Sequence, residues 1–148
     1  MIRRTVNTVG RAFTLVEILI VVVILGVLAA IVVPQFGNAT REAAVGATVT
    51  ELEKLRRALD VYMARWDNQV PDITAGDGTW GPLVASTGEY LKSAPRNPYV
   101  GGDNAGVITL SDTPDAAFQT NYGWIYDVAS GQIWAGGFDA DDQPLPRQ

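Results

Sequence analysis

Residues 13–34, FTLVEILIVVVILGVLAAIVVP, restrict the fold more than any other part of the chain. They form an apolar run of membrane length with a single carboxylate, Glu17, near its start. From Ile18 to Val33 no side chain is polar, and the next charge after Glu17 is Arg41. At 1.5 Å per helical residue the run spans about 30 Å, the thickness of a hydrocarbon core. Arg3, Arg4 and Arg11 are the only charges ahead of it, which predicts a cytoplasmic N-terminus with everything after Val33 on the far side. A carboxylate inside such a segment costs a few kcal/mol, so Glu17 is a functional residue by default.

Two plainer readings compete. A secretory signal would end near Ala29-Ala30, but Ile31-Val32-Val33 prolong the apolar core beyond the usual 7–15 residues and Glu17 would have no purpose. An ordinary signal anchor fits the length but also leaves Glu17 unexplained. Gly26, Ala29 and Ala30 give the helix a small-residue face that permits close helix approach. Pro34 removes a backbone donor and predicts a kink.

The heptapeptide Arg11-Ala12-Phe13-Thr14-Leu15-Val16-Glu17 resembles the cleavage and methylation signature of type IV prepilins and type II secretion prepseudopilins. The resemblance implies a cut between Ala12 and Phe13, methylation of the new Phe13 amine, and Glu17 as fifth residue of the mature chain. Gly26 and Pro34 match the helix-weakening Gly and the kinking Pro of that family's stalk. Ala12 departs from the usual Gly before the cut. A cut after Gly10 would put Glu17 out of register. The family pairs this carboxylate with the neighbour's terminal amine to set the axial stagger of a filament. The alternative is a Glu17 that snorkels to the headgroups within its own chain.

Beyond Pro34, Val45, Val49, Leu52, Leu55, Leu59, Tyr62 and Trp66 recur at steps of three and four, an amphipathic helix. Glu53 and Arg57 make an i, i+4 pair on its polar side. The pattern lasts only about three heptads, so a face packed on a head is favoured over a coiled-coil seam. Residues 68–82 read as loop, and 84–91 as a short helical turn. Val107–Leu110 is a weak strand. Tyr122, Trp124, Tyr126 and Val128 alternate, and Ser130-Gly131 turns the chain into Gln132–Ala135, a hairpin. The expectation is an α+β pilin fold: one helix from about Phe13 to Trp66, kinked at Pro34 and packed on a small antiparallel sheet. The expected segments are a leader (1–12), a stalk (13–34), an amphipathic helix (35–66) and a head (67–148). Trp66, Trp80, Trp124 and Trp134 read as core rather than as a binding platform.

Through Trp66 the chain carries eight basic and five acidic residues, and from Asp67 three basic and eleven acidic, so the head is strongly acidic. That argues against direct nucleic-acid binding. The chain has no His and no Cys, which removes the usual general base, thiol chemistry and disulfides. No phosphate-binding glycine loop or nucleophile elbow is present, so an enzyme is not expected.

The run VVILGVLAAIVVPQF, the helix end LEKLRRALDVYMARWDNQVPD and the APRNPY turn resemble the major pseudopilin of type II secretion. Ala94 and Asn97 depart from that turn's Leu-Pro-x-Asp-Pro pattern. The missing disulfide, common in type IV pilins, points the same way. The resemblance implies a homopolymer assembled with other pilin-like subunits, a prepilin peptidase and methyltransferase, and an inner-membrane assembly platform. It implies a single-pass inner-membrane precursor with a periplasmic head, consumed by a short fibre that drives protein secretion. A surface type IV pilin for adhesion, motility or DNA uptake is the alternative, and a membrane-anchored binding module that never polymerises is a third. The major pseudopilin also carries calcium in its C-terminal loop. Asp139, Asp141 and Asp142 are the candidate ligands here, although the spacing does not map cleanly and a solvated acidic tail is the default.

Overall fold

The computed structural model describes residues 13–147 except Asp77 and 85–88. Its elements are one helix, α1 (Leu15–Arg65), two 3₁₀ turns (Gly81–Val84 and Asp103–Gly106), and three short strands, β1 (Ile108–Leu110), β2 (Trp124–Tyr126) and β3 (Ile133–Ala135). This is an α+β fold of the pilin type. The chain divides into two compact units, Met1–Ala39 and Thr40–Gln148.

In the first unit the chain is helical from Leu15 onward, and the large apolar side chains from Phe13 to Val32 are exposed. α1 continues across Pro34, but the side chains of 33–36 lie outside the described residues, as does the leader with Ala12. The kink expected at Pro34 falls there.

In the second unit α1 buries Leu52, Leu55, Ala58 and Leu59, with Val45, Val49 and Tyr62 packed at the edge of the same core. All but Ala58 are positions that helical periodicity selects. Among the selected positions Trp66 is the exception, 55 % exposed. The helix ends one residue before it, where Asp67 and Asn68 take left-handed φ values of 51° and 62°. The Asn68 N–H then closes onto the Met63 carbonyl at 2.9 Å, a helix-terminating bond. Trp66 is thereby turned outward, stacked on Tyr62 with its indole N–H donating to the Tyr90 hydroxyl. Trp80, Trp124 and Trp134 are buried, as expected.

The sheet is mixed, not antiparallel. β2 pairs antiparallel with β3, Ile125 opposite Trp134, but β1 pairs parallel with β2, Ile108 opposite Trp124. A parallel neighbour needs a crossover of a dozen residues or more, usually helical. Here residues 111–123 make that return as irregular chain. Asp115 fastens it, accepting from the Tyr122 hydroxyl (2.5 Å), the Gln119 amide (2.8 Å) and the Gly137 N–H (2.8 Å). Gly123 at the start of β2 lies against the Asp103–Gly106 turn: a Cβ there would meet the Ala105 carbonyl oxygen at 2.1 Å.

The hairpin forms as expected, but its one-face alternation does not hold. Trp124, Ile125 and Tyr126 are all buried, so both faces of β2 are covered, while Val128 is half exposed. Asp127 builds the turn by accepting from the Ser130 hydroxyl and the Ala129 N–H. Those bonds, Ser130 foremost, hold its carboxyl below the usual range.

Asn97 joins helix to sheet. Its side chain is fully buried, and Oδ1 accepts from the Thr48 hydroxyl (3.0 Å), the Tyr99 N–H (2.9 Å) and the Val100 N–H (3.1 Å). Its Nδ2 donates to the carbonyls of Gly123 (2.8 Å) and Gly136 (2.9 Å). An amide offers an acceptor oxygen and two N–H donors at once, which a carboxylate cannot.

Candidate functional site: the start of the stalk and the C-terminal loop

The first turn of α1 is capped from within. The Glu17 N–H donates to the Thr14 side-chain oxygen at 3.2 Å and to the Thr14 carbonyl at 3.1 Å. Thr14 is the N-cap and Glu17 the third helical residue, the spacing of a capping box. The sequence reading treats Glu17 as a charge and overlooks this role of Thr14, although Thr-x-x-Glu before an apolar run is a recognisable signal. The cap fixes where the helix begins. It also places Glu17 one turn in, where a carboxylate is favoured by the N-terminal end of the helix dipole.

The Glu17 side chain is exposed, and among the described residues its carboxylate makes no hydrogen bond or ion pair. Around it Phe13, Leu15, Val16, Ile18, Leu19, Ile20 and Val21 expose about half or more of their surface. The most apolar 18-residue window of α1 has mean hydropathy 3.2, with none of it buried, so the helix is long and apolar enough to cross a membrane. Such a surface requires lipid or other helices. At Gly26 a Cβ would meet nothing within 4 Å, so its small size has no cause inside this chain. Phe13 and Glu17 therefore lie together at the helix start, while Gly26 lies further along the same exposed helix.

Asp139, Asp141 and Asp142 do not form a solvated tail. A bridge between Phe138 and Pro144 closes residues 139–143 into a tight loop. Asp139 Oδ1 accepts the N–H groups of Asp141 (2.9 Å) and Gln143 (2.8 Å). Both Asp142 oxygens face the Arg56 guanidinium, at 2.5 and 2.9 Å. A divalent cation at this loop would sit against a guanidinium already holding Asp142, and like charges at contact distance repel strongly. Asp139 and Asp142 thus already have partners within the chain. Among the described residues no group of three or more His, Cys, Asp or Glu is placed to hold a metal ion.

Comparison with known proteins gives the same picture for the stalk. Residues 10–33 match the prokaryotic N-terminal methylation motif. The chain is 48% identical over 128 residues to the type II secretion system core protein G of Klebsiella pneumoniae, covering 75% of this chain and 89% of that protein. It is 32% identical over 126 residues to the core protein G of Escherichia coli (strain K12), covering 74% and 86%. It is also 29% identical over 118 residues to the type IV major fimbrial protein FimA of Dichelobacter nodosus, covering 79% and 74%. No solved structure matches.

Proposed function

The chain belongs to the type II secretion core protein G family, and from that premise we propose that it is the polymerising subunit of a periplasmic pseudopilus. Its family consists of structural subunits of the pilin and pseudopilin kind, and the chain is not an enzyme. Residues 1–12 serve as a leader that holds the precursor in the inner membrane with its basic end in the cytoplasm. A prepilin peptidase cuts between Ala12 and Phe13 and methylates the new amine. That cut supplies the one group Glu17 lacks, a cation at the membrane face.

In a bundle of identical stalks the Phe13 amine of one subunit reaches Glu17 of the next. A carboxylate left alone in lipid is costly, and pairing removes that cost only in the assembled state. The same contact fixes the axial step between subunits. Repeated head-to-tail contacts that do not close into a ring generate a helical fibre. Gly26 and Ala30 let the stalks approach closely, and Pro34 bends each one as it leaves the bilayer. The inner-membrane platform and other pilin-like subunits complete the assembly, and the acidic heads face outward.

The observation that carries this reading is the Glu17 carboxylate, without a partner among the described residues, on an exposed apolar helix. A surface type IV pilin is less favoured, because the core protein G relatives reach 48% identity and the pilin relatives 29–30%. Overexpression in a host carrying a type II secretion apparatus, followed by immunogold imaging, tests the proposal. Fibres containing this chain and rooted in the periplasm are expected. A chain that stays monomeric in the membrane would refute polymerisation, and long surface pili without a secretion defect on deletion would favour the pilin.

A further inference from the structure

We propose that the C-terminal segment of the head is locked by the chain's own guanidinium groups, in the place where a bound divalent cation would otherwise gather the loop. Arg56 is on the buried-face half of α1 within the head unit, 86 residues from Asp142 in sequence. Its Nη1 donates to Asp142 Oδ2 at 2.5 Å, and its Nη2 donates to Asp142 Oδ1 at 2.9 Å and to the Ile133 carbonyl at 3.0 Å. One cation thus ties the helix to β3 and to the 139–143 loop. A carboxylate together with a backbone carbonyl is the donor set that a hard divalent ion takes from a loop. Here a planar fork takes it, with the two-point geometry that suits a carboxylate.

The loop is shaped for this pairing. Asp142 stands at φ 58°, a left-handed conformation that costs free energy for a residue other than glycine and turns its carboxylate toward α1. A second arginine holds the end of the segment. The Arg147 guanidinium lies 4.8 Å from the centre of the Tyr99 ring and 5.0 Å from that of Phe118, and it donates to the Tyr99 carbonyl. The Tyr99 hydroxyl in turn donates to the Leu145 carbonyl at 2.6 Å. Residues 139–147 are therefore fastened at both ends by cations that the chain carries itself, and the head needs neither a disulfide nor a metal to close.

The test uses the full chain in detergent micelles and follows thermal unfolding of the head by tryptophan fluorescence. Buried Trp80 and Trp124 report on the head alone. Wild type, Arg56→Gln, Asp142→Asn and the double variant are each melted with millimolar calcium and with a chelator. Wild-type Tm is expected to be the same in both. Each single variant is expected to melt roughly 5 °C lower, the shift for one charge-assisted contact in a domain of this size. The double variant is expected to melt no lower than the worse single, because both remove one interaction. A wild-type Tm that falls in chelator and recovers with calcium overturns the proposal. So does an Arg56→Gln variant that melts with wild type, or two losses that simply add. The readout is folding and not assembly, so it is independent of whether the chain polymerises.

Discussion

Removing the Asn97 side chain should weaken the head more than any exposed substitution. In Asn97→Ala the Val100 N–H loses the only hydrogen bond it makes among the described residues, and the Gly136 carbonyl loses its bond from Nδ2. Two other partners are better protected: the Tyr99 N–H keeps Thr48 Oγ1 at 3.1 Å, and the Gly123 carbonyl keeps the Gly136 N–H at 2.8 Å. Two buried backbone groups left unsatisfied at 1–3 kcal/mol each give a loss of about 2–6 kcal/mol. That is a large fraction of the 5–15 kcal/mol typical of a whole domain. Asn97→Asp separates the two halves of the role. It keeps the acceptor but sets a second oxygen against the Gly123 and Gly136 carbonyls, so it should also destabilise despite its near-identical shape. The assay is urea unfolding of the full chain in micelles, read by tryptophan fluorescence. An Asn97→Asp variant within about 0.5 kcal/mol of wild type, the ordinary scatter of surface substitutions, would refute the hub.

Mass spectrometry of the mature protein should find a chain that starts at Phe13 with one added methyl group; a chain retaining Met1, or beginning near Ile31, would remove the processing scheme. Burial pushes the Tyr126 hydroxyl up to about 12, and burial with the Asp115 hydrogen bond does the same for Tyr122, from an ordinary value of 10.0. The folded head keeps both protons where the unfolded chain releases them. Its stability should therefore be full below pH 10 and fall as pH rises from 10 to about 12, and urea midpoints across that range check this. Tyr126→Phe should flatten the slope.

What the sequence makes legible follows from the range of each interaction. The stalk is legible because its information is local: Glu17 lies four positions after Phe13, and the apolar run is continuous. The buried face of α1 is legible because a 3.6-residue period selects Leu52, Leu55 and Leu59 without knowledge of their partners. Trp66 fails by one residue, since the period continues past a helix that Asp67 and Asn68 have already ended. The parallel β1–β2 pairing is illegible because three-residue strands carry no direction and residues 111–123 show no helical pattern to announce a crossover. The Asp139–Asp142 loop reads as tail because its partner, Arg56, lies 86 residues away. Asn97 is visible only as a departure from the Leu-Pro-x-Asp-Pro turn, and its role depends on residues 48, 123 and 136 meeting around it.

The central claim is that Glu17 is useful only when subunits meet, and exchanging it tests that claim most directly. Glu17→Ala and Glu17→Val each remove the charge and keep an apolar helix that still inserts. Membrane fractionation and sheared-fibre yield are measured for wild type and both variants in the same host. Both variants should be cleaved and held in the membrane at least as well as wild type, because a carboxylate in lipid is a cost. Both should fail to enter fibres, whatever their volume. If either assembles as wild type does, Glu17 does not set the register, and the account of the stalk is wrong.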